Sequence, residues 1–532
     1  MKIILNFPRI KTSNCLALCF LLLPLSGVAV GRSPDSAKST TIQHHAIQVI
    51  VNSNLDGPVQ AEEVLTLREA IALVNGTLTL DKLSDRQRSQ VTTLNNAPSQ
   101  IKFNLPPQAT TINLTDILPP LVSSVIIDGT TQSGYTDTPV VTITPTSGKE
   151  VFRGFTVAAD DVTIRGLSLY GFTSLHGATA STPPADIFIA PLEESKSQPP
   201  KNVVIENNYL GVFPATAMVK GEEIDEKATQ SINPQAALHS SAFGVSVFNS
   251  LGTTIQHNHI GNHDGSAIIT SIRAENLHIL DNIIEGNGFA GMPDAIRLEG
   301  IVPQAQITAN LIQNNAGSAV YLFKPEGSVK IQDNTITHNG QHLQRAAIYL
   351  MGNGHEVVNN KITDQSGPGV VVAAYPESVG NRIQNNQFAH LAGLSIDLVT
   401  QQRVGVQDYQ QGDGVNPIAN SFQRHRKTGN FGIDAPRFKS PEFFINPDKG
   451  TVTLDGVATP GAVVDIYCVT EYGNNGPLNE AIATVIVGKD GSFSYVLGNI
   501  KAGERLSAIA THPQYGTSEP AENTVIRSLS SS

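Results

Sequence analysis

The sequence predicts an all-β solenoid, and three observations carry that prediction. Short apolar stretches centred on asparagine recur: VVIENNYLG at 203, TIQHNHIGN at 254, LHILDNIIEGN at 277, AQITANLIQNN at 305, VKIQDNTITHNG at 329, EVVNNKITD at 356 and NRIQNNQFAH at 381. Their asparagines, Asn208, Asn258, Asn282, Asn310, Asn334, Asn360 and Asn386, are spaced by 50, 24, 28, 24, 26 and 26 residues. A second apolar strand follows in each unit: GVSVF (244), AIITSI (267), AIRLEG (295), AVYLFK (319), AIYLMG (347), GVVVAA (369) and GLSIDL (393). Composition agrees, with 45 glycines and only 15% charged residues in 532, which suits short strands and tight turns. Two or three strands per 22–28 residues, with no helical period, form coils that bury one another.

Seven asparagines at coil spacing argue for structure, because an active site needs one constellation and not a ladder. Stacked turn asparagines about 4.8 Å apart satisfy one another's amides. The long first spacing holds a polar insertion, KGEEIDEKATQSINPQ.

The N-terminus reads as an export signal over 1–31. Lys2, Arg9 and Lys11 precede the apolar run CLALCFLLLPL and the small residues SGVAVG, with cleavage after Ala29 or Gly31. The run is short for a membrane span, and Pro24 interrupts it. Cleavage takes the formal charge from −11 to about −14 and removes Cys15 and Cys19. Cys468 then stands alone, so no intrachain disulfide forms. No second apolar span follows, and the absence of a basic stripe excludes nucleic acid as a partner.

LTLREAIALVN (65–75), SQIKFNLP (99–106), VIIDGTTQSGY (125–135), VTIRGLSLYGF (162–172) and GLSIDL (393–398) occur in that order. This series resembles the secreted bacterial right-handed parallel β-helix proteins of the pectin-lyase-like superfamily. The resemblance implies a right-handed parallel β-helix over 47–400 whose first coil is plugged by a short helix. TLREAIALVN supports that plug independently. Leu67, Ala70, Ile71 and Val74 share one face, and Thr66 with Glu69 forms a capping box. Residues 401–440 read as a polar linker. Alternating segments and the KDG hairpin signal predict a small Ig-like β-sandwich over 441–528.

The superfamily spans lyases, hydrolases, epimerases and adhesins, so fold alone assigns no activity. Of the polygalacturonase signatures, only the aspartate pair Asp160–Asp161 occurs, in a turn. No aspartate cluster with an arginine base, as in pectate lyases, and no DPHE, as in alginate epimerases, is found. The histidines of HNHIGNHD (His257, His259 and His263) are expected at the surface, and Asp397, Asp408, Asp413 and Asn416 are the candidate calcium ligands.

The sharper expectation concerns the outward face of the second strand. Ile296, Val320, Ile348, Val370 and Leu394 are assigned inward. Arg297, Tyr321, Tyr349, Val371 and Ser395 then form one outward row, and Glu299, Phe323, Met351, Ala373 and Asp397 the next. Arg297, Tyr321, Phe323 and Tyr349 are the expected binding residues of a polysaccharide or surface-partner platform, with no cofactor required. The alternative is a polysaccharide lyase or glycoside hydrolase using Asp294, Arg297, Glu299 and Asp397.

Overall fold

The computed structural model describes residues 46–57, 63–173, 182–193, 197–211, 240–342, 344–374, 377–400, 410–418 and 427–529. The export signal, the polar insertion and Asp408 lie outside the described residues. Among the described residues, the free cysteine is Cys468, and no helix is long and apolar enough to cross a membrane.

The chain winds into three long sheets of 12, 10 and 9 strands, parallel throughout except where Ile47–Val51 pairs with Val91–Thr93. From Val125–Asp128 onward each coil contributes one strand to each sheet, so neighbouring strands lie one coil apart in sequence. Strands are often three residues long, and their central side chain points inward. Ile255, Ile279, Ile307, Ile331, Val357 and Ile383 stack in register along the first sheet. Ile260, Ile284, Ile312, Ile336, Ile362 and Phe388 do the same along the second. All are at most 1% exposed. These rows form the core, and burial of apolar, mostly isoleucine, side chains on successive coils drives their stacking.

Asparagine ladders turn the corners. From Asn208 to Asn386, each Nδ2 donates to the next Oδ1 at 2.9–3.1 Å, and each Oδ1 also accepts the preceding rung's backbone N–H. The residue before each rung takes the left-handed conformation: Asn207, His257, Asp281, Ala309, Asp333, Asn359 and Asn385 have φ of 52–57°. Asparagine and aspartate tolerate that region, so the turn selects its own residue types.

A second ladder runs at the next corner through His263, Asn287, Asn315, Asn339 and Gln365. Each member lies five residues after a rung of the first ladder, a spacing readable in the sequence but missed. This corrects the surface expectation for His263. Its Nδ1 donates to Asn287 Oδ1 at 2.9 Å, and its Nε2 lies 2.9 Å from the buried Asp186, which also takes the Ser241 hydroxyl. His257 is exposed and His259 partly so, as expected.

At the N-terminal end, α1 (Leu67–Val74) packs on the strands Ile47–Val51 and Ser99–Phe103. Thr66 and Glu69 form the predicted capping box, and Leu67, Ala70, Ile71 and Val74 are buried.

At the other end, the C-terminal residues form a sandwich of two mostly antiparallel sheets, and these sit directly on the last coil. Ile383 N donates to Thr517 Oγ1 (2.9 Å), Asn385 N to the Tyr467 hydroxyl (3.1 Å), Phe388 N to Leu478 O (2.9 Å) and Leu398 N to Glu519 (3.0 Å). Coils and sandwich form one compact unit over His45–Ser532. The described parts of 401–440 lie against the coils: Ala346 N bonds Gln410 O, and Thr428 bridges to Thr400.

Candidate functional site

The expected outward row exists, with one correction. Arg297 pairs in register with Tyr321, Tyr349, Val371 and then Asp397. Ile396, and not Leu394, continues the inward row, so Ser395 leaves the outward row and Asp397 replaces it. The physical reason is the period of two. A two-residue slip keeps every side chain on its predicted face, so alternation cannot detect it.

Tyr321 and Tyr349 do not form an open platform. Both are fully buried, in a small outer cluster with Ala346, Met351, Val371, Ala373 and Val399. Their rings meet edge-to-face at 5.5 Å. Burial pushes the Tyr321 phenol up to about 12. Part of the packing around them comes from Val399 and from Gln410, which accepts Ala346 N and lies beside Tyr321, and strand alternation does not reveal either.

Arg297 and Phe323 reach the boundary with solvent. The Arg297 guanidinium sits 4.7 Å from the Phe323 ring centre and 5.0 Å from that of Tyr321. Glu299 binds it at 3.2 Å, and Asp294 lies 3.9 Å away. Asp294 itself is buried, accepts the Ser318 N–H at 3.0 Å and pairs with Arg345 at 3.2 Å. Burial raises its carboxyl, against the pull of Arg345. The arrangement holds a cation over aromatic faces with its rotamer fixed from behind. Arg345 was not anticipated, because it lies in a turn outside the repeat pattern.

A similar stack lies upstream on the same sheet. Arg153 sits 3.5 Å over the Phe188 ring, and Phe188 belongs to the outward row through Ser246, Ile269 and Arg297. Burial lowers Arg153 to about 10.

Of the candidate calcium ligands, Asp397, Asp413 and Asn416 gather among the described residues, and Glu519 joins them. Glu519, from the sandwich, accepts Leu398 N, Asn416 N and Asn416 Nδ2 at 2.8–3.0 Å. Asp397 accepts Asp413 N (3.2 Å) and Gly414 N (2.9 Å), and Asp413 takes the Thr400 N–H at 3.0 Å. These carboxylates tie loop, coil and sandwich together through backbone donors. Among the described residues, no group of three His, Cys, Asp or Glu is placed to hold a metal ion. Asp294 and Asp397 are both buried, and both accept from backbone N–H donors. Asp160 and Asp161 make turn contacts, to Lys201 N and to Asn202 Nδ2.

The carboxylate cluster predicts a pH dependence. Burial raises Glu519 to about 7. Burial, then the charges of Glu519 and Asp413, lift Asp397 well above the usual carboxylate range. A raised acid favours the folded state while protonated. The stabilisation is therefore complete below the ordinary glutamate value of 4.5 and is lost as pH rises through about 7. For Glu519 alone this amounts to on the order of 3 kcal/mol. Melting temperature should fall from about pH 5 to about pH 8, and Asp397→Asn should flatten that fall. An unchanged slope in the variant refutes the assignment.

Residues 200–360 and 303–408 match the family described as the right handed beta helix region, which gives the coils their hand. The solenoid is a right-handed parallel β-helix. No curated protein matches the chain in sequence. Among solved structures, the Streptococcus pneumoniae surface protein and adhesin PfbA is 14% identical. It covers 57% of this chain and 91% of its own, with a TM-score of 0.36. The Dettilon tailspike protein is 13% identical over 77% of this chain and 88% of its own (TM-score 0.31). DFA-IIIase from Arthrobacter chlorophenolicus A6 is 12% identical over 70% and 85% (TM-score 0.31). Likeness at this level assigns neither substrate nor partner.

Proposed function

We propose that the protein is exported and acts at a cell surface or outside the cell. There it binds polysaccharide or a surface partner along the outer flank of its solenoid. The observation that carries this is the Arg297–Phe323 stack at the solvent boundary, backed by Glu299 and footed on the buried Tyr321 and Tyr349. A sugar ring laid there meets an aromatic edge, a guanidinium and a carboxylate, the mixture that holds polyols. The tyrosines support the site from beneath and are not contact residues. Export rests on the charged start and the apolar run CLALCFLLLPL. The C-terminal sandwich is Ig-like in this proposal, and it secures the end of the coil.

A glycan array with Arg297→Ala plus Phe323→Ala tests the flank. Binding should weaken by about tenfold or more, with melting temperature little changed. No glycan binding by the unmodified protein, or equal binding by the variant, sinks the proposal. Release of unsaturated ends or reducing sugars would replace it with lyase or hydrolase activity.

A further inference from the structure

We infer that the junction between the last coil and the sandwich carries a separate sugar-binding cleft, built on Phe431 and Tyr515 and suited to neutral hexose units. The cleft is an open depression of about 400 Å³ lined by Phe431, Gly432, Ile433, Asp434, Thr459 and Tyr515. That volume lies in the range of small-ligand sites, roughly 300–1,000 Å³.

Phe431 is the feature that calls for an explanation. It sits in the left-handed region, with φ 51° and ψ 18°, yet the residue is 54% exposed. A bulky residue is strained there, and one so exposed recovers little of the cost through burial. The preceding Asn430 is also left-handed, but its role is plain. Its Oδ1 accepts Asn381 N (3.1 Å), and its Nδ2 donates to Thr517 O (2.9 Å) and Asn381 O (3.0 Å). Asn381 in turn accepts His355 N, so Asn430 ends a third ladder. That ladder fixes the backbone from which Phe431 projects. Glycine would fit the backbone of position 431 with less strain. What phenylalanine adds is an aromatic face.

The rest of the wall is equally fixed. Phe431 meets Tyr515 edge-to-face at 5.9 Å, and Tyr515 stacks on His512 at 4.4 Å with 21° between planes. Tyr515 O accepts Gly380 N at 3.0 Å, which ties this turn to the last coil. Rings held this way lose little freedom when a ligand binds. The C–H face of a pyranose stacks on aromatic carbon, and its hydroxyls can donate to the Asp434 carboxylate or pair with Thr459. The formal charge of −11 on the chain disfavours uronates. This site shares no residue with the Arg297 flank and does not rest on that proposal.

Titration calorimetry of the full chain with neutral gluco-, galacto- and manno-oligosaccharides, and with oligouronates, tests it. At least one neutral series should bind. Phe431→Gly should weaken that binding by about tenfold or more while melting temperature holds or rises, and Phe431→Tyr should keep it. In the background of the flank pair Arg297→Ala and Phe323→Ala, Phe431→Gly should weaken neutral binding by the same factor as it does alone. Absence of neutral binding, a preference for uronates, unchanged affinity in Phe431→Gly, or a lower melting temperature that assigns the ring to packing would each overturn it.

Discussion

A chain ended at Thr400 should fail to remain a soluble monomer. The last coil offers three strand edges, Arg382–Gln384, Gln387–Leu391 and Ile396–Leu398. In the full chain their outward N–H groups find partners in Thr517, Tyr467, Leu478 and Glu519. Beneath those edges lie Ile383, Phe388, Ile396 and Leu398, at most 1% exposed. Truncation opens both a row of unpaired backbone donors and an apolar surface, the combination that templates edge-to-edge association. Size-exclusion chromatography with light scattering should find aggregates that bind thioflavin T. A monodisperse truncated chain with a sharp melting transition would remove the capping role from the sandwich.

The two ends of the solenoid are closed by different means. At the start, α1 spans eight residues, too few to persist alone, and its capping box only sets where the helix begins. Its stability comes from the face buried on the first coils. At the far end a whole β-sandwich is used, and Glu519, Tyr467 and Thr517 reach back as single side chains. The closure is therefore distributed over many hydrogen bonds and a carboxylate cluster that weakens as pH rises.

The coil was legible because its determinants are local. Each turn needs a left-handed residue followed by an inward amide, and each strand needs one inward aliphatic, so the asparagine period announced the fold. The capping box at Thr66 and Glu69 was legible for the same reason. The second ladder is equally local but chemically mixed, with His263 and Gln365 at its ends, so no single residue type repeats along it. The exposure of Tyr321 and Tyr349 was not legible, because part of what packs around them, Val399 and Gln410, lies outside the strand alternation. The placement of Asp397 was lost to a two-residue slip that preserves alternation. Glu519, Arg345 and Phe431 carried no repeat signal, since their roles arise where the repeat ends or a turn departs from it.

Asn334→Leu should destabilise the protein by about 4 kcal/mol, although both side chains carry four heavy atoms branched at Cγ. The Asn334 Nδ2 donates to Ile307 O (2.9 Å), Gln332 O (2.8 Å) and Asn360 Oδ1 (2.9 Å), and its Oδ1 accepts the Asn310 N–H (2.9 Å) and Nδ2 (3.0 Å). Leucine removes all five bonds and strands the buried Asn310 N–H inside a corner closed to water. An orphaned donor of this kind costs roughly 1–3 kcal/mol, beyond about 1 kcal/mol for each net bond lost. The gain from a buried leucine, roughly 2 kcal/mol, offsets only part of this. Asn334→Asp separates polarity from shape. The carboxylate would face three acceptor oxygens, so its folded pKa must rise above the unfolded value. Its cost should then be largest near neutral pH and shrink as pH falls toward about 4, where protonation restores one donor. Urea unfolding of both variants at two pH values decides the matter. A cost for Asn334→Leu below about 1 kcal/mol, or a pH-independent cost for Asn334→Asp, would mean that the aliphatic rows alone hold the coils and the ladder merely fills the corner.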